Sequence, residues 1–243
     1  MSATNTKREK DIFRMIQSNC HIGSRNFNIQ MKRYIHSVDH SGVPVFKVDE
    51  TYEKIQLAAR IIAGISDIKD VYAISSRKAG QRAVIKFASN LGASCEPSLR
   101  WTPGSLTNYK TKNFKEPKLI IVADPYSDFK AIKEASYCNI PVIALCDTMS
   151  NLKFVDLAIP CNNRKTESIG MIFWLLAKEV KILKGQLNQD EDWDVRVELF
   201  YDNSNKLKEK AIEQAAVAEE DSEAEEADEA DKADADNFDE ANN

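Results

Sequence analysis

The sequence predicts an α/β fold, a three-layer α/β/α sandwich. Its sheet is mainly parallel and doubly wound, flavodoxin- or Rossmann-like, and a disordered acidic C-terminal tail follows. Three observations lead there. Short, wholly apolar β-branched runs alternate with stretches of helical periodicity, as in a parallel sheet covered on both faces. Of the 243 residues, 43% are hydrophobic, enough to bury a sizeable core. Beyond residue 203 aromatic and β-branched residues give way to an Ala/Glu/Asp tract, which cannot bury enough surface to offset its ordering entropy. The expected division is therefore a folded unit over residues 1–202 and a tail over 203–243.

The first amphipathic helix is expected over residues 7–18, with Ile12, Phe13 and Ile16 on one side. A polar stretch of weak periodicity runs from Asn19 to Gly42, and Pro44 to Val48 is a short strand candidate. Asp49 is placed to cap the next helix, whose buried stripe is Ile55, Leu57, Ala58, Ile61 and Ile62. Val71 to Ile74 reads as a strand. Gln81 to Leu91 reads as a helix with Val84, Ile85, Phe87 and Ala88 inward, ended by Gly92. Leu119 to Ala123, Pro141 to Leu145 and Leu157 to Ile159 are further strands, with a helix over roughly residues 129–137 between the first two. A helix from Ser168 to Lys184 closes the body, with Phe173 and Trp174 in the core and basic residues near its C-terminal end. Right-handed crossovers join such strands.

The formal net charge of -5 averages two opposite segments. Residues 213–243 hold 14 acidic residues and one basic residue, Lys232, whereas residues 1–189 hold 28 Lys/Arg against 17 Asp/Glu, a net +11. A body this basic points to a polyanionic partner. The five cysteines show no C-x-x-C spacing, and Cys138 and Cys146 lie in apolar stretches that read as core. With three scattered histidines, no metal site or other cofactor is expected. The polar N-terminus carries no secretory pattern, and the longest apolar run, Ile169 to Ala177, falls far short of the ~20 residues of a membrane span. A cytoplasmic protein without membrane contact is expected.

In doubly wound folds, ligands sit beyond the carboxyl ends of the strands. An enzyme would use Asp124 and Asp147 there as paired acids or magnesium ligands. The eight glycines form no phosphate-gripping loop, however, and Asp124-Pro125 is equally a turn. No serine sits in an elbow motif. No catalytic residue and no small-molecule substrate are expected. RNA contact is expected from three basic segments: Arg25, Asn26, Lys32 and Arg33; then Arg77, Lys78 and Arg82 at a strand-to-helix junction; then Arg100, Trp101, Thr107, Asn108 and Lys110 in a long loop. Lys and Arg neutralise phosphates there, and Trp101 either stacks on a base or plugs the core.

Five stretches carry a resemblance: Asn19-Cys20-His21-Ile22-Gly23, ISSRKAGQRAVIKFA from Ile74, RWTPGSLTN from Arg100, EPKLIIVADPYSDFKAIKEASYCNIPVIALCDT from Glu116, and VDLAIPCNN from Val155. In this order, over about residues 10–202, they resemble the eukaryotic small-subunit ribosomal protein SA family, also called laminin receptor precursor, with bacterial and archaeal small-subunit relatives. The resemblance implies a non-catalytic α/β/α sandwich at the head–body region of the 40S subunit, bound to small-subunit rRNA and neighbouring small-subunit ribosomal proteins. It also implies a part in late subunit maturation, hence passage through the nucleus, and RNA contact by the loops around Arg25, Arg77 and Arg100. As in the eukaryotic form, the helical hairpin insertion of the bacterial relatives is lacking. Trp101 stands where eukaryotic members usually carry Phe, and Tyr52 where they carry Trp. No Trp follows Trp193, so the acidic-Trp repeats of animal tails are missing. The laminin-associated segment corresponds to Ile159 to Lys178 and departs through Arg164 to Ser168, so an extracellular receptor role is not expected.

Overall fold

In a computed structural model, residues 2–188 and 193–201 are described. Their elements run α1 (Ser2–Gln17), a 3-10 helix (Ile29–Tyr34), β1 (Ile35–Val38), β2 (Pro44–Phe46), α2 (Val48–Ala63) and a second 3-10 helix (Ile68–Asp70). Then follow β3 (Val71–Ile74), α3 (Lys78–Leu91), β4 (Ser94–Cys95), β5 (Leu119–Val122) and α4 (Phe129–Tyr137). Strands β6 (Val142–Cys146) and β7 (Leu157–Pro160), helix α5 (Thr166–Leu183) and a 3-10 helix (Val197–Phe200) complete them. The expected tail beyond residue 203 lies outside the described residues.

Strands β4-β3-β5-β6-β7 form one parallel sheet in that order. All residues of β3, β5, β6 and β7 are buried, because successive side chains feed opposite covered faces. Val71, Ala73, Leu119, Ile121, Ile143, Leu145, Leu157 and Ile159 pack with α2, α3 and α5. Tyr72, Ile74, Ile120, Val122, Val142, Ala144 and Ala158 meet Ala131, Ile132 and Ala135 of α4, together with Met31, Tyr34, Phe46 and Trp101. From β3 the chain goes outward through α3 to β4, then returns to β5 on the other side of β3. That reversal makes the carboxyl edge between β3 and β5 the switch point where such folds bind ligands.

Several elements differ from expectation. Helix α1 buries Met15 and Asp11 rather than Phe13 and Ile16, which are exposed. Positions 11, 15 and 18 share the face toward α5, where the Lys7 Nζ lies 2.9 Å from the Glu179 carboxylate. Asp49 does not cap α2: the helix starts one residue earlier without a side-chain cap, and Asp49 instead accepts from Arg8 at 2.7 Å. Ile61 and Ile85 point outward, and Cys138 is exposed whereas Cys146 is buried. Helix α3 starts at Lys78, three residues before the expected Gln81. Gly92 does end it, in the left-handed conformation at φ +77°. The antiparallel β1–β2 pair places a strand inside the polar stretch 19–42. After α5, Trp193 stacks near Trp174 at 5.7 Å between centroids, and Phe200 is fully buried against the α2–α3–α5 side.

Candidate nucleic-acid interface

At the carboxyl edge, the turns after β3, β5, β6 and β7 surround a cleft of about 430 Å3 lined by Arg77, Asp124, Tyr126, Asp147, Asn163 and Arg164, among others. The Asp124 carboxylate accepts from the Tyr126 N–H (3.1 Å), the Ser127 hydroxyl (2.8 Å), the Asn163 amide (3.2 Å) and Arg77 Nη1 (3.3 Å). Asp147 accepts from the Thr148 N–H at 2.7 Å and from the Ser24 hydroxyl, and Arg164 Nε lies 3.5 Å from it. Both carboxylates therefore hold turns together, which satisfies their lone pairs. Asp128, at the start of α4, accepts from the N–H and hydroxyl of Ser76, tying the β3 turn to α4. Burial pushes its pKa up to about 6, the bonds from Ser76 pulling the other way.

The first basic segment is welded to the β6–β7 connection. The Ser24 N–H donates to the Thr148 hydroxyl at 2.9 Å, and that hydroxyl reaches the Ser24 and Asn26 carbonyls at 3.1 Å. A Cβ on Gly23 would lie 2.4 Å from the Thr148 methyl, so only glycine lets the two strands of chain approach. Arg25 and Asn26 project outward from this rigid base, and Lys32 and Arg33 are exposed on the 3-10 helix that follows.

The second segment divides. Lys78 is exposed at the first turn of α3. Arg77 instead turns into the cleft, donating to Asp124 and, at 3.2 Å, to the Asn163 carbonyl. Arg82 is exposed, but its Nε donates to the Leu199 carbonyl at 3.0 Å and holds the last 3-10 helix. In the third segment Arg100, Thr107, Asn108 and Lys110 are exposed. Trp101 requires correction as a base-stacking residue. It is only 5% exposed, meets Tyr72 edge to face at 6.4 Å between centroids, and donates its indole N–H to Glu134 at 2.8 Å. Its ring cannot reach a base without leaving the core.

Glu134 was not singled out by sequence reasoning, because nothing marks one acidic residue on an amphipathic helix. It also accepts from the Leu106 N–H (3.0 Å) and the Thr107 hydroxyl (3.1 Å), so it fastens the whole basic loop to α4. Burial pushes its carboxyl up, but these bonds outweigh that and hold it below its ordinary value. Lys115 and Lys118, at the loop's end, pair with Tyr72 and Asp70 at 2.6 Å each.

Comparison with known proteins decides the family. The model of ribosomal protein S2 matches residues 15–114 and 111–182. The chain belongs to the ribosomal protein S2 family. Small ribosomal subunit protein uS2 of Emericella nidulans is 51% identical to it over 215 residues, 87% of this chain and 73% of the relative. The protein of that name from Coccidioides posadasii is 50% identical over 85% of this chain and 71% of its own length. Small ribosomal subunit protein uS2C of Schizosaccharomyces japonicus is 49% identical over 87% and 73%. In this S2 family member, no helix among the described residues is long and apolar enough to cross a membrane.

Proposed function

We propose that this chain is a structural, non-catalytic constituent of the small ribosomal subunit, acting in translation on cytoplasmic ribosomes and reaching them through nuclear assembly. The observation that carries this reading is the 51% identity, across 87% of the chain, to a protein named for that subunit. The geometry supports it. Arg25, Lys32, Arg33, Lys78, Arg100 and Lys110 are exposed on loops, a 3-10 helix and a helix start anchored to a two-faced core, the arrangement that grips phosphates without base specificity. Asp124 and Asp147 are occupied in holding turns, which argues against acid catalysis. The same loops dock neighbouring ribosomal proteins through exposed apolar side chains such as Ile29 and Phe27. Within the family, the chain fits the eukaryotic SA branch, without the bacterial hairpin and without a laminin-receptor role. A body over residues 1–202 carries the binding, with the acidic segment 203–243 as a solubilising tail.

Depleting the protein from its source cells tests the assembly role. Small subunits should fall relative to large ones, with unprocessed small-subunit rRNA accumulating. Unchanged small-subunit levels and normal rRNA processing would refute it.

A further inference from the structure

The cleft at the carboxyl edge is left over once the exposed basic loops have been assigned. Its 430 Å3 lies within the roughly 300–1,000 Å3 of small-ligand sites. Asn163, only 2% exposed, lines it. Its amide N–H groups are spent on Asp124 and the Leu145 carbonyl, while its Oδ1 is buried with no partner among the described residues. Arg77 and Arg164 each meet their carboxylate through one nitrogen, at 3.3 and 3.5 Å, which leaves the guanidinium forks available to an anion. Helices α3 and α5 begin beside these two arginines, and neither start has a side-chain cap, so their backbone N–H groups add to the positive field. Tyr126 is 73% exposed and Met149 40% exposed among the lining residues, an aromatic platform and a soft apolar wall.

We propose that this cleft receives one unstacked nucleotide of single-stranded rRNA. Its phosphate sits against Arg77 and Arg164, and its base stacks on Tyr126. An acidic peptide would explain the arginines but not the aromatic platform, whereas an unpaired nucleotide uses both. The inference rests on the rRNA-bound reading above and deepens it to one pocket.

The test compares native small subunits with subunits carrying Tyr126→Ala, a change at an exposed ring outside the core. Both sets are probed along the rRNA with a 2′-hydroxyl acylating reagent and with dimethyl sulfate. One single-stranded nucleotide, protected in native subunits, should become about 10-fold more reactive in the variant, as expected for loss of one aromatic stack. Ultraviolet irradiation of native subunits should attach a nucleotide to the peptide containing Tyr126. Unchanged reactivity at every nucleotide overturns the proposal, as does a neighbouring protein's peptide attached at Tyr126. Saturation of the isolated full chain by micromolar mononucleotide, with no rRNA protection, also overturns it in favour of a free nucleotide. Failure of the native chain to enter subunits at all would instead remove the underlying reading, so the two failures are distinct.

Discussion

The Trp101 indole N–H donates to the Glu134 carboxylate at 2.8 Å, across 33 residues of sequence, and this bond pins the long basic loop between β4 and β5 to α4. With the Leu106 N–H and Thr107 hydroxyl on the other oxygen, Glu134 fixes where Arg100, Asn108 and Lys110 point. Trp101→Ala should cost about 3–5 kcal/mol of unfolding free energy, by loss of buried surface and creation of a cavity. Glu134→Ala strands two buried donors and should cost about 1–3 kcal/mol for each. Urea unfolding of the purified variants checks both. Losses under about 0.5 kcal/mol, the level of ordinary surface changes, would contradict the anchoring role.

Asp128 makes stability depend on pH. Its folded-state pKa of about 6 lies above the ordinary 3.8, so its protonated form favours the folded state. That contribution is complete below pH about 4 and is lost as pH rises through about 6. Relative to Asp128→Asn, the wild type should lose up to roughly 3 kcal/mol between pH 4 and 7. A difference that is flat, or that grows in the wild type's favour with pH, would show the assignment to be wrong.

Gly23→Ala forces a methyl into the Thr148 side chain and toward the Pro44 carbonyl, 2.9 Å away. The backbone oxygen cannot yield easily, so a loss of about 1–3 kcal/mol is expected. The companion variant Gly23→Ala/Thr148→Ser removes the closest clash and should recover part of it. No recovery would locate the strain elsewhere.

Charge reversals should separate the exposed cations from the engaged ones. Arg25→Glu, Lys32→Glu, Arg100→Glu and Lys110→Glu should leave thermal unfolding nearly unchanged. Each should flatten the dependence of log K for rRNA on log salt by about 0.9 per lost contact. Arg77→Glu sets a carboxylate beside Asp124 and should lower stability as well. Equal unfolding temperatures for Arg77→Glu and Arg25→Glu would refute this division.

The sheet was legible because β3, β5, β6 and β7 are uniformly apolar, which only strands covered on both faces require. Strand β4 was not: two residues at a sheet edge, Ser94 and Cys95, leave no periodic signal. Nor was β1, which is exposed apart from Ile35 and has polar residues between Ile35 and Val38. Along α1 the apolar pattern misled, because the helix buries a charge, Asp11, beside Lys7, Arg14 and Lys178. The basic loops could be found from charge alone. Which cations stay exposed could not, because Arg77 and Arg82 are engaged by Asp124 and the Leu199 carbonyl, 47 and 117 residues away.

The most direct measurement is sedimentation of the native protein from its source cells through a sucrose gradient at moderate salt. Co-migration with small subunits, lost only when salt is high enough to strip phosphate contacts, is the expected result. A protein found wholly in the free pool at low salt would contradict the ribosomal role.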